Sequence, residues 1–284
     1  MTQARPTPYP IRIFRCLRLA LHFTWIAIGT AILYPLVGAQ LRARLKQRWS
    51  HQILRILSVR LETQPTDAPL GCLIVANHVS WLDIFAIHSL RPAAFISKAE
   101  VRQWPFFGWL GEKNDTVFLR RGSRGHAKVV NAEIDALLNA GMDVAIFPEG
   151  TTSDGTHLLG FHAALLQPAI ETGRPILPLA LSYHDAQGNI SLAPSFAGET
   201  TIGQCFFAIL ASRSLTVRLI PEPVIDTVGK TRRELSQAVR AAIASRLGFP
   251  LSSNPPERSP GPQGGQPSAN RPTGSRNQSP ADWA

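Results

Sequence analysis

The sequence predicts an α/β fold, a mixed and mostly parallel sheet covered by helices, with an N-terminal membrane-associated helical segment ahead of it. Three observations carry this expectation. From Leu70 onward, short apolar runs alternate with stretches of helical periodicity. The runs are continuously apolar, as strands covered on both faces must be, and their alternation with helices is the pattern of an α/β layer architecture. Upstream, residues 19–39 carry no charged side chain. The chain therefore divides into an N-terminal segment over residues 1–60, an α/β domain over 61–250 and a tail over 251–284.

About 21 residues at roughly 1.5 Å each match a hydrocarbon core of about 30 Å. Arg12, Arg15 and Arg18 precede this apolar stretch, and Arg42, Arg44 and Lys46 follow it. A signal peptide would have a shorter apolar core and a small-residue cleavage site. Pro35 and Gly38 can break the helix near its end. The readings left are a single span, a hairpin that enters and leaves on one side, and a buried core helix. Residues 41–57 continue as a basic amphipathic helix, with Leu45, Trp49, Ile53, Leu54 and Leu57 at helical spacing. Such a helix faces either a protein core or the headgroup level of a membrane.

The predicted strands span residues 70–76, 93–97, 116–119, 143–147, 176–182 and 215–220. The predicted helices span 84–89, 125–140, 161–171 and 230–247. In the second of these helices Val130, Ile134, Leu137 and Leu138 form one apolar stripe, suited to packing on a sheet. From Ser252 the chain is rich in Pro, Gly, Ser, Asn and Gln, a composition expected to stay disordered.

The 284 residues carry a formal charge of +10 and include 44% hydrophobic but only 17% charged residues. That balance points to an anionic partner, either nucleic acid or an acidic membrane surface. The cations are scattered rather than gathered into an arm, and no nucleic-acid-binding motif is present, so nucleic acid is not the expected partner. Cys16, Cys72 and Cys205 lie far apart with no CxxC pair. This excludes a zinc ribbon and argues against a disulfide framework, fitting a reducing, cytoplasmic setting.

Two polar segments follow directly on predicted strands. The first runs Asn77-His78-Val79-Ser80-Trp81-Leu82-Asp83; the second begins Phe147-Pro148-Glu149-Gly150-Thr151-Thr152-Ser153. Ligands of open α/β sheets bind at the carboxyl ends of strands, so both segments are expected in one crevice. On a continuous helix His78 and Asp83 would lie about 140° apart and could not pair. They pair if His78 sits on the loop and the helix begins near Ser80. The imidazole would then be a general base held in one tautomer by a carboxylate. The same residues also read as a plain capping box, Ser80-x-x-Asp83, serving only the helix N-terminus. No Gly-x-Ser-x-Gly elbow occurs, Val224 stands where a P-loop ending at Gly229-Lys230-Thr231 needs a glycine, and no His/Glu cluster has zinc-site spacing, so no metal ligands are expected.

Taken together, these segments resemble the glycerolipid acyltransferase family, which includes the 1-acyl-glycerol-3-phosphate and lyso-ornithine lipid acyltransferases. Its His-x4-Asp block is matched by His78 and Asp83, with Asn77 before them. Its Phe-Ile-x-Arg block resembles Phe118-Leu119-Arg120-Arg121, and its Phe-Pro-Glu-Gly-Thr-Arg-Ser block resembles Phe147 to Ser153. A final apolar block around a proline resembles Ile176-Leu177-Pro178-Leu179-Ala180. The four blocks fall in order within residues 70–185.

The resemblance implies an enzyme with no cofactor of its own. It would move a fatty acyl group from acyl-CoA or acyl-acyl carrier protein to a lysolipid hydroxyl, at the cytoplasmic face of a bacterial-type inner membrane. His78 and Asp83 would be catalytic; Asn77, Arg121, Glu149, Gly150, Thr151, Thr152 and Pro178 would belong to the substrate site. Glu149 would equally serve as an anchor for Arg121 or for its loop. Asp115 replaces a family glycine, Thr152 a family arginine, and His162 a frequent lysine. The loss of a cation at 152 brings lyso-ornithine lipid close behind lysophosphatidate as the expected acceptor. A basic membrane or nucleic-acid binding protein without catalysis is the alternative from another class.

Overall fold

A computed structural model describes residues 6–119 and 124–250. Two helices open the chain, α1 (Tyr9–Ile32) and α2 (Ala39–Ile56). Then follow β1 (Val59–Thr63), β2 (Leu73–Ala76), α3 (Leu82–Leu90), β3 (Ala94–Lys98), α4 (Pro105–Lys113) and β4 (Val117–Leu119). The second half holds α5 (Arg124–Asn139), β5 (Val144–Ile146), α6 (Gln167–Thr172), β6 (Ile176–His184), α7 (Ile202–Ala211), β7 (Leu215–Pro221) and α8 (Arg232–Leu247).

The seven strands form one sheet in the order β1-β7-β6-β2-β5-β3-β4. Every neighbouring pair is parallel except β6 and β7, so β7 and β1 run against the other five. The expected mixed, mostly parallel sheet is therefore present. Successive side chains of β2 serve opposite faces, as strand geometry requires. Ile74 and Ala76 join a core built with α1, α2, α3 and α7, while Leu73 and Val75 join one built with α5, α6 and α8. The predicted stripe on α5 is real: Val130, Ile134 and Leu138 are buried against the second face.

Several boundaries move for identifiable reasons. The first predicted strand, β2, begins at Leu73 rather than 70, because Gly71 turns the chain at φ 79° and the Asp143 carboxylate accepts the N–H groups of Gly71 and Cys72. The helix expected over 161–171 splits into a 3-10 turn, Ala163–Leu166, and then α6, with Pro168 in the first turn of α6. Three elements were not anticipated. β1 lies at a sheet edge with Arg60, Leu61, Glu62 and Thr63 at least partly exposed, so it lacks an apolar run. α4 starts on Pro105 and buries only Gly108, so it carries no helical stripe. α7 had a readable signal, the capping box of Thr201 and Gln204 ahead of an apolar run.

The N-terminal segment packs one side on the domain. α1 starts ten residues before the uncharged stretch, with Pro8 at its cap, and ends before Pro35. It lies side-on against the domain along its length. Arg15 donates to the carbonyls of Leu210 and Ser212, the His22 ring bonds the Trp49 carbonyl, and Leu19 and Ile26 are buried. At Gly29 a Cβ would stand 2.8 Å from the Trp49 ring, so only glycine lets α2 come this close.

Candidate active site

β2 and β5 are adjacent parallel strands, so their carboxyl ends emerge side by side. The polar segments that follow them are joined directly. Ser153 N donates to the His78 carbonyl at 2.8 Å, and the His78 ring stacks on Phe147 with centroids 3.9 Å apart. The single crevice expected from strand position is thus formed.

His78 lies on the loop and α3 begins at Leu82, which is the condition the pairing required. His78 Nδ1 is 2.8 Å from Asp83 Oδ2. A buried carboxylate that takes backbone N–H groups acts as an acceptor, so Nδ1 carries the proton and Nε2 its lone pair. Among the described residues Nε2 has no hydrogen-bond partner, and the His78 side chain is 20% exposed while Asp83 is fully buried. Asp83 Oδ2 also accepts Val79 N at 2.8 Å and Ser80 N at 3.0 Å. Asp83 therefore both ties down the loop backbone and orients the imidazole; α3 is capped at Trp81 with no side-chain cap bond, so the full capping box is not formed. Its other oxygen, Oδ1, accepts the hydroxyl of Tyr183 at 2.7 Å.

Glu149 is buried, and its two oxygens tie two loops together. Oε1 accepts His78 N at 2.9 Å and Oε2 accepts Leu159 N at 3.0 Å. Burial pushes its carboxyl up to about 7 and the Asp83 charge adds to this, against the two backbone donors and Arg240. This geometry makes Glu149 an anchor of the loop, one of the roles its sequence left open. Gly150 follows in the left-handed region at φ 68°, with its N–H on the Phe147 carbonyl at 3.1 Å, a turn that favours glycine.

The other expected substrate contacts divide. Asn77, foreseen at the substrate, is 1% exposed, and its amide is engaged on both atoms by the Leu181 backbone, at 2.9 and 2.8 Å. That side chain fixes the end of β2 to β6. Pro178 is likewise buried in β6, opposite Val75, and its carbonyl accepts Glu222 N. It stands one residue before the β6–β7 ladder begins at Leu179, where its missing N–H breaks no ladder bond. Thr151 is exposed at the crevice. Thr152, in place of the family arginine, donates its hydroxyl to the Phe196 carbonyl, while Phe196 N donates to the Val79 carbonyl at 3.0 Å. Arg121 lies outside the described residues.

Asp115, where the family has glycine, adopts φ 63°, the backbone conformation that glycine would supply freely. Two nearby residues escaped sequence reasoning. Tyr183 sits in an apolar strand and reads as core. Arg240 of α8 reaches the Leu158 and Leu159 carbonyls on the Glu149-bound loop, at 3.4 Å each.

A His–Asp pair at the carboxyl ends of a mostly parallel sheet defines the class of molecule, and the comparisons agree. The family model described as Acyltransferase matches residues 58–182, and the chain belongs to this acyltransferase family. It is 37% identical over 199 residues to a 1-acyl-sn-glycerol-3-phosphate acyltransferase of Neisseria meningitidis, covering 68% of this chain and 78% of that protein. It is also 37% identical over 210 residues to a lyso-ornithine lipid O-acyltransferase of Pseudomonas aeruginosa, covering 73% of this chain and 80% of that protein. The crystal structure of the 1-acyl-sn-glycerophosphate acyltransferase from Thermotoga maritima shares the fold, with a TM-score of 0.61 at 23% identity over 84% of this chain and 96% of that one.

Proposed function

We propose that the protein acylates the free hydroxyl of a lysolipid, with His78 as general base. The observation that carries this is the 2.8 Å pair of His78 Nδ1 with buried Asp83, which leaves Nε2 directed at an open crevice. His78 Nε2 takes the hydroxyl proton as the oxygen attacks an acyl thioester of CoA or acyl carrier protein. The tetrahedral adduct then expels the thiolate, which recovers the proton from the imidazolium. No covalent enzyme intermediate is involved.

We place 1-acyl-sn-glycerol-3-phosphate first as acceptor, following the Neisseria relative. Lyso-ornithine lipid is the second reading, favoured by Thr152, whose hydroxyl is engaged by Phe196 where a phosphate-gripping arginine is otherwise expected. Purified protein assayed with both acceptors and labelled acyl-CoA decides between them. The first reading expects lysophosphatidate to be used with the higher kcat/KM. Turnover confined to lyso-ornithine lipid would reverse the order, and acylation of neither would remove the proposal.

The same reading places the protein on the cytoplasmic face of a bacterial inner membrane, with α1 lying in the near leaflet. α1 is long and apolar enough to cross a membrane by length and composition, yet Arg15 and His22 bond it to the domain. Its opposite face exposes Phe14, Leu17, Leu21, Trp25 and Ile32. Seating that face among acyl chains is worth about 1–2 kcal/mol per large side chain. Leu21→Ser with Trp25→Ser should therefore weaken binding to anionic vesicles at least tenfold, read by co-flotation. Unchanged flotation of the double variant would show that this face does not hold the membrane.

A further inference from the structure

Asp83 has two oxygens, and the loop supplies partners for only one of them. Oδ2 takes His78 Nδ1, Val79 N and Ser80 N. Oδ1 points the other way, and the Asp83 side chain is fully buried. A buried carboxylate oxygen without a donor is costly, and a carboxylate held at one oxygen keeps freedom to rotate about its Cβ–Cγ bond. Among the described residues the donor on Oδ1 is the Tyr183 hydroxyl, at 2.7 Å, delivered from near the carboxyl end of the fully buried strand β6, one hundred residues away.

Resting on the reading of His78 as the base, we infer that Tyr183 is a positioning residue of the reaction, the outer member of a Tyr183–Asp83–His78 hydrogen-bond chain. The ring is 2% exposed and packed in the core shared with α3 and α7, so its hydroxyl has little freedom to leave. The groups that face it are Asp83 and Ser80 on the first segment and Cys205 on α7; none is a cation. Burial and the adjoining carboxylate hold its phenol well above the ordinary range, so it remains a donor. The Cys205 thiol is turned to the Pro194 carbonyl at 3.2 Å and does not compete for Asp83.

The chain sets both the direction of the carboxylate and its basicity. With Tyr183 donating, negative charge on Asp83 is shared between two oxygens that both have partners. Without that donor the carboxylate becomes more basic and binds a protonated imidazole more strongly. The base would then be harder to return to its neutral, working form.

Tyr183→Phe tests this, since it deletes one oxygen and keeps the ring. The full chain labelled with 15N-histidine is titrated by NMR, and turnover is measured on the same samples. In Tyr183→Phe the His78 ring should titrate at higher pH by about half a unit, with kcat down about tenfold and KM within about twofold. Ser182→Ala, which removes the neighbouring hydroxyl bonded to His184 on the other side of the strand, should leave the His78 titration in place. A His78 titration in Tyr183→Phe that overlays the wild type overturns the inference, whatever happens to turnover, because a merely structural role would not move it. Wild type and His78→Ala are assayed alongside. Failure of the wild type to acylate any lysolipid, or persistence of turnover in His78→Ala, would refute the functional reading instead, and the ring titration still reports on Tyr183.

Discussion

Replacing His78 with alanine is expected to lower acylation turnover by about 10²–10⁴-fold, the range that a positioned general base contributes. The acceptor hydroxyl is a weak nucleophile at neutral pH, and among the described residues the His78 ring is the group at the crevice with an unengaged basic nitrogen. Its side chain is 20% exposed, so folding should be nearly intact and the thermal midpoint little changed. Asp83→Asn should fall in a similar range for a different reason. The amide is the same size, but it must present an NH2 either to the N–H groups of His78, Val79 and Ser80 or to the Tyr183 hydroxyl. An NH2 turned to the loop meets donors; turned to Tyr183, whose hydroxyl can accept, it leaves on His78 an uncharged oxygen that cannot balance the imidazolium formed during proton transfer. Stopped assays with saturating acyl-CoA measure both variants. Turnover within a few-fold of wild type in His78→Ala would remove the base mechanism altogether.

Asp143→Ala is expected to cost about 3–5 kcal/mol of stability and to leave the chemistry of the folded fraction untouched. Asp143 stands at the opposite end of the sheet, where β2 and β5 begin. Its carboxylate accepts Gly71 N at 3.0 Å and Cys72 N at 2.9 Å, and forms a two-pronged pair with Arg91. Arg91 in turn reaches the Ala68 and Pro69 carbonyls. Both side chains are nearly buried, at 11% for Arg91 and 2% for Asp143. Removing the acid leaves a buried guanidinium and two backbone donors without their acceptor, which is the expensive way to break a buried pair. For a domain of this size that corresponds to a fall of about 10 °C or more in the unfolding midpoint. A shift of a degree or two in a thermal melt would show that water replaces the carboxylate at this site.

The two variants separate the two ends of the same strands. At the amino ends, charge is used to start β2 in register; at the carboxyl ends, it is used on the imidazole. The cluster at the carboxyl ends was partly readable from residue order, and the Asp143 cluster was not. The apolar runs of β2, β5 and β6 announce strands buried on both faces, and the polar segments after β2 and β5 mark where ligands would meet the sheet. The four blocks within residues 70–185 added the class of chemistry. Residue identity carried no direction. Asn77 and Pro178 belong to those blocks, but their side chains are buried in the sheet, and Glu149 is turned to backbone donors.

By itself, then, the sequence determined the local facts: which runs are strands, which helices carry an apolar face, and which polar residues follow the strand ends. These depend on periodicity and on neighbours a few positions apart, which are printed in the order of residues. The tertiary structure decided who meets whom. Only the placement of β6 beside β2 brings Tyr183 to Asp83 and Leu181 to Asn77, and only the reversal of β7 and β1 closes the sheet beside β6. It also laid one side of α1 along the domain, through bonds to Leu210, Ser212 and Trp49 that no window around residue 20 contains. Such pairings join residues up to about two hundred positions apart, so the packing of the whole chain selects them.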